Sequence, residues 1–192
     1  MRGSKSRRVL IAFLLAAALT PMPGCVSDKS QPGAAPELVL LVRHAEKAKE
    51  PAEDPPLTPT GAQRAQDLAA ALKDAGVTAI ITTQLRRTRE TAQPLADAQG
   101  LSPEIVPVGE DEDAHAAAVA AAVRGHPGGI VLVVGHSNTV PKIIAALGGP
   151  SMPEICETLF ANLFVLALDA DAARLVRAHY GAADDPPAAD CE

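Results

Sequence analysis

Two short segments of this chain place basic and nucleophilic side chains directly after apolar runs. Leu38 to Val42 is followed by Arg43-His44, and Ile130 to Val134 is followed by Gly135-His136. A third segment, Arg86-Arg87-Thr88-Arg89, follows the β-branched run that begins at Val77. Arginine presents a rigid fork of donors that matches phosphate, and a neutral imidazole can serve as nucleophile or base. Two histidines and two or more arginines around one crevice make a phosphate site. Phosphoryl transfer asks mainly for positioning and for positive charge on the equatorial oxygens. The attacking ring must be unprotonated on the reacting nitrogen, so its other nitrogen needs an acceptor that fixes the tautomer.

The elements that position these residues follow from the apolar pattern. An uninterrupted run of five apolar residues bounded by Pro36-Glu37 reads as a strand buried on both faces. Thr58-Pro59 reads as an N-cap followed by proline at the first helical position, with Ala65, Leu68, Ala69 and Leu72 at helical spacing and Gly76 past the end. Strands are expected at 77–81, 104–108, 130–134, 163–168 and 173–179. Further helices are expected from Gln84 to about Gln99, from Ala114 to Arg124, and from the Ser137-Asn138 region to about Leu147. Either Ser137 or Asn138 is expected to cap that last helix, whose amides would face the crevice. Alternation of strands and helices at these lengths predicts a three-layer α/β/α sandwich with a mainly parallel sheet. In such sheets ligands bind outside the carboxyl ends of the strands, where all three basic segments can converge.

Composition narrows the class. The chain has 192 residues, 47% hydrophobic but only 2% aromatic, so its core has to be built from Leu, Val, Ile and Ala. A formal charge of −6 argues against nucleic acid as a partner, which would require a basic face. Residues 1–24 read as a signal peptide: Arg2, Lys5, Arg7 and Arg8 precede an apolar run from Val9 to Leu19, too short for a permanent span. Gly24-Cys25 resembles a bacterial lipoprotein cleavage site, with lipid on Cys25, although Met22 and Pro23 depart from the usual residues before it. Cleavage there removes four of 17 basic residues and none of 23 acidic ones, leaving 13 against 23 and a net charge of −10. Any anion site is then a local basic pocket in an acidic protein. Residues 25–37 read as a tether, 38–180 as the domain, and 181–192 as a polar tail. The expected location is the cell envelope or periplasm, with membrane attachment only through the lipid.

Four segments together carry a resemblance: Leu41-Val42-Arg43-His44-Ala45-Glu46-Lys47, Leu57-Thr58-Pro59-Thr60-Gly61, Leu85-Arg86-Arg87-Thr88-Arg89-Glu90-Thr91-Ala92 and Gly135-His136-Ser137-Asn138-Thr139-Val140. In this order they resemble the histidine phosphatase superfamily, the phosphoglycerate mutase-like family, which more often has glycine where this chain has Ala45. The resemblance implies His44 as the nucleophile that becomes phosphohistidine. Arg43 and Arg87 would hold the phosphoryl oxygens, and His136 would donate a further hydrogen bond. It favours Arg87 over Arg86 and Arg89, which otherwise read as solvated helix residues. It also implies a carboxylic proton donor before the third helix, at Glu110, with Asp111, Glu112 and Asp113 as rivals. The same four acids read equally well as a solvated loop and a helix N-terminus favoured by the dipole. No metal or other cofactor is implied.

The activity expected is hydrolysis of a phosphate monoester, or of phosphohistidine, through an intermediate on His44; a small phosphorylated molecule or a phosphoprotein would be the substrate. A phosphoglycerate-type mutase is one alternative. A non-catalytic envelope protein that binds a phosphorylated ligand is another, disfavoured because a binder has no use for the nucleophile. His115, His126 and His179 read as surface or structural residues. Ser137 does not complete a Gly-x-Ser-x-Gly elbow, since Thr139 stands at the second glycine. In an exported chain, Cys156 and Cys191 are expected to form a disulfide that ties down the tail.

Overall fold

The computed structural model describes residues 38–168 and 173–185. The elements run β1 (Leu38–Arg43), α1 (Pro59–Leu72), β2 (Ala79–Thr82), α2 (Arg86–Gln99), β3 (Glu104–Ile105), α3 (Glu112–Arg124), β4 (Ile130–Gly135), α4 (Thr139–Ala146), β5 (Asn162–Leu168) and β6 (Ala173–His179). They form one six-stranded sheet in the order β3-β2-β4-β1-β5-β6. The pairs among β1 to β4 are parallel, whereas β5 joins β1 and β6 in antiparallel fashion.

Side chains along a strand alternate between faces, and here both faces are covered. Val39, Leu41, Val131 and Val133 pack with Val119, Val123 of α3 and Ile143, Ile144 of α4. Leu40, Val42, Leu132 and Val134 pack on the other face with Leu68 of α1 and Leu95 of α2. This accounts for the unbroken apolar runs of β1 and β4: each strand is buried on both sides, so neither face needs polar residues. The expected three-layer α/β/α architecture is the one observed.

Local chemistry sets the element ends. The Thr58 side chain accepts from the Gly61 amide, and Pro59 occupies the first turn of α1. Gly61 lies so close to the preceding loop that an added Cβ would stand 2.2 Å from the Glu46 carbonyl oxygen. The loop carrying Glu46 is thereby packed onto the start of α1. β2 starts at Ala79 rather than at 77 and α2 at Arg86 rather than at Gln84, and two further boundaries differ for a clear local reason. β3 stops at Ile105, because Val106 still donates to the Thr82 carbonyl but Pro107 has no N–H to continue the ladder. α3 starts at Glu112, two residues early, because the Asp111 side chain caps it by accepting from the Ala114 amide.

The chain after β6 is also attached. Asp184 accepts from the amides of Phe160 and Ala161 at 2.9 and 3.0 Å, and lies 3.5 Å from the Arg64 guanidinium. Residues 181–185, expected to belong to a loose polar tail, are therefore held on the domain by the half-buried Asp184 carboxylate. Cys156 is disulfide-bonded. Its expected partner Cys191, the lipidation site Cys25, the signal peptide and the tether lie outside the described residues. Among the described residues no helix is long and apolar enough to cross a membrane.

Candidate active site

β1 and β4 are neighbours in register, with Arg43 opposite Gly135. The next residues of the two strands are therefore brought side by side, and the His44 amide donates to the Gly135 carbonyl at 2.9 Å. The imidazoles of His44 and His136 meet edge to face, with ring centroids 5.4 Å apart. β4 is flanked on its other side by β2, whose exit through Thr83 leads into α2 and Arg87. A cavity of about 210 Å³ opens over these strand ends, lined by His44, Lys47, Arg87, His136, Ser137 and Glu157 among others.

His44 is held in one tautomer. Its Nδ1 lies 2.8 Å from the Ala45 carbonyl oxygen, an acceptor only, so Nδ1 carries the proton and Nε2 keeps its lone pair. Burial, together with the charges of Arg43, Arg87 and Lys47, pushes its pKa down to about 3, against the opposing pull of the Ala45 bond. The ring is thus neutral at physiological pH. The peptide behind it is fixed as well: the Ala45 amide donates to Thr91 Oγ1 at 2.9 Å, and Ala45 is fully buried. A methyl group fits where the resembling family more often has glycine.

His136 is likewise buried. Burial, aided by His44, Arg87, His115 and Arg43, lowers its pKa to about 3. Its Nε2 lies 3.3 Å from Thr83 Oγ1, while Nδ1 has no hydrogen-bond partner. Its amide donates to Thr139 Oγ1.

The three arginines of the third segment separate clearly. Arg87 lines the cavity and burial lowers its pKa, with Asp54 and Glu157 pulling it back up. Arg86 binds Glu90 through Nε and Nη2 at 3.1 and 2.9 Å on the exposed face of α2. Arg89 is exposed. Arg43 is almost wholly buried under the 156–160 segment. Its Nη1 donates to the Cys156 carbonyl, its Nη2 to Glu157, and its guanidinium carbon lies 4.2 Å from the Phe160 ring centroid.

The acidic run is distributed over several tasks. Asp111 caps α3, Glu112 accepts from the Asn138 side-chain amide, and Asp113 pairs with Lys142 at 2.8 Å. Glu110 is exposed on the bend before α3, two residues past Val108, which lines the cavity. The expected side-chain cap of α4 is absent. Asn138 makes no cap hydrogen bond and has helical backbone angles rather than the extended ones of a capping residue, and Ser137 Oγ donates to Glu157 at 2.5 Å. His115 is buried, with Nδ1 against the Pro107 carbonyl, and His126 pairs with Glu104 near the surface.

Sequence reasoning did not find Glu157 or the Glu46–Arg64–Asp184 group. Arg64 binds Glu46 through Nε at 2.9 Å and Nη2 at 2.8 Å and also donates to the Ala182 carbonyl, clamping the loop after His44 to the chain end. The only early signal for Arg64 was a charge inside the apolar stripe of α1. Among the described residues no cluster of three or more His, Cys, Asp or Glu could hold a metal.

A neutral buried imidazole with one fixed nitrogen stands beside a second imidazole at parallel strand ends, with Arg87 of α2 over them, an arrangement that can receive an anionic group, while the Arg43 guanidinium lies beneath the 156–160 segment rather than in the cavity lining. Comparison with known proteins agrees. The model of the histidine phosphatase superfamily (branch 1) matches residues 39–113. A probable phosphoglycerate mutase, GpmB, of Escherichia coli is 43% identical over 68 residues, covering 32% of this chain and 32% of that protein. The match thus spans about a third of the length of that curated relative. The protein histidine phosphatase SixA, solved with tungstate, superposes with a TM-score of 0.61 at 21% identity, covering 74% of this chain and 96% of that one. A mycobacterial glucosyl-3-phosphoglycerate phosphatase superposes with a TM-score of 0.57 at 16% identity, covering 77% and 99%. The histidine phosphatase superfamily, phosphoglycerate mutase-like, is the family that these findings support.

Proposed function

We propose that this chain is a phosphatase that hydrolyses a phosphate monoester through a phosphohistidine on His44. The observation that carries this reading is the Nδ1 contact of His44 with the Ala45 carbonyl, which leaves the Nε2 lone pair for attack beside Arg87 and His136. In the first step the Nε2–P bond forms as the ester P–O bond breaks, and the electron pair leaves with the alcohol oxygen. Arg43, Arg87 and His136 stabilise charge on the phosphoryl oxygens. Glu110, close to the cavity-lining Val108, is the proposed donor of the leaving-group proton. Water then attacks phosphorus, the N–P bond breaks, and the neutral imidazole is restored with release of inorganic phosphate. The carboxylate accepts the proton from that water.

Phosphate release from a panel of sugar phosphates, phosphoamino acids and phosphohistidine by the purified domain tests the reading. The expected result is turnover of at least one ester that His44→Ala abolishes. Turnover retained by His44→Ala would overturn it. Export and lipid attachment rest on residues 1–25 of the sequence; incorporation of labelled fatty acid into the full-length chain, lost in Cys25→Ser, is the expected outcome.

A further inference from the structure

Glu157 is the carboxylate in the site that the proposed mechanism leaves without a task. It reaches the site from the segment between α4 and β5, 114 residues along the chain from Arg43. One carboxylate oxygen accepts from Arg43 Nη2 at 2.5 Å and the other from Ser137 Oγ at 2.5 Å. The carboxylate lines the cavity that holds His44, Arg87 and His136, and its charge acts on Arg87 as well. An anion between a guanidinium and a hydroxyl, at the ends of β1 and β4, has the partners that two oxygens of a bound phosphoryl group require.

Its attachment is lopsided. Arg43 is 2% exposed and is held independently by the Cys156 carbonyl and the Phe160 ring, whereas the Glu157 side chain is 73% exposed. The guanidinium is thus fixed, and the carboxylate is free to leave it. Glu157 also lines a second cavity of about 410 Å³, shared with Thr158 and Phe160, so the side chain has room beside the site.

From this geometry, and resting on the phosphate-site reading above, we propose that Glu157 is a resident anion of the phosphate subsite, a specificity-determining residue that every phosphorylated ligand displaces from Arg43. A tethered carboxylate competes at a high effective concentration, and the ligand binds only the fraction of molecules in which it has swung away. Inorganic phosphate, which has no organic group to add binding energy, bears the full effect.

Titration calorimetry of the whole protein with inorganic phosphate tests this without any turnover. Loss of an exposed ion pair together with a like charge beside the ligand predicts binding tightened about fivefold or more in Glu157→Gln and Glu157→Ala. Glu154→Gln, at an exposed acid three residues away, controls for overall charge and is expected to bind as the unaltered chain does. Equal affinity in all four proteins, weaker binding in the Glu157 variants, or the same gain in Glu154→Gln would overturn the proposal. Absence of phosphate binding in every protein would instead overturn the phosphate-site reading, and this proposal with it.

Discussion

His44 and His136 occupy matching positions, one residue past the ends of adjacent parallel strands, and both imidazoles are driven down to about 3 by burial and neighbouring charge. They differ in how their nitrogens are held. His44 has Nδ1 locked against a carbonyl that can only accept, so its tautomer is settled by the backbone. His136 has a hydroxyl on Nε2, which can donate or accept, and no partner on Nδ1. A nucleophile needs one defined lone pair throughout the reaction; a residue that steadies a transferring group can shift its proton with the step. The proposed division into attacker and helper therefore rests on hydrogen bonding, since burial and charge treat the two rings alike.

The division is broken most severely at His44. His44→Ala should remove turnover to background, because the proposed mechanism forms the N–P bond on His44 alone; steady-state phosphate release measures it. His136→Ala should cost roughly 10²-fold in kcat, the scale of a lost transition-state donor, with the phosphorylated intermediate still formed. Equal and complete loss in both would erase the distinction. Arg87→Ala should cost a similar 10²-fold or so, whereas Arg86→Ala, whose guanidinium is spent on Glu90, should stay within a few-fold. Thr83→Val, which removes the hydroxyl beside His136 but nothing from His44, should produce a loss of only a few-fold, confined to kcat.

Protonation supplies a gentler probe. Each ring has a folded pKa near 3 against an ordinary value of 6.5, so the unfolded chain binds more protons than the folded one between those values. Stability contributed by these rings is complete above about pH 6.5 and declines as pH falls through the window toward 3. NMR titration of the imidazole carbons should find both rings still neutral at pH 5. A midpoint near 6.5 for either ring would contradict the burial that the site depends on.

Much of this arrangement could be read from the chain. His44 and His136 were legible because each ends an apolar run whose only reasonable state is a doubly covered strand, and Thr58-Pro59 carries its cap in two adjacent residues. Arg87 needed the resemblance, since nothing in Arg86-Arg87-Thr88-Arg89 itself says which arginine faces inward. The acidic run hid its roles, because capping by Asp111 and the bond of Glu112 to Asn138 depend on where α4 lies. Glu157 was invisible for a physical reason. It belongs to an irregular segment with no periodic pattern, and its contact with Arg43 exists only once β1 and β5 are paired. Asp184 was missed similarly, as one acid in a polar stretch that turned out to bind the amides of Phe160 and Ala161.

Attack by His44 Nε2 is the central claim, and rapid quench with a phosphate-labelled substrate tests it most directly. Mixing for milliseconds and quenching in alkali should trap acid-labile, base-stable phosphate on the chain, mapped by peptide mass spectrometry to His44 and absent from His44→Ala. Label mapped to another residue, or steady turnover with none on the protein at any quench time, would contradict the account.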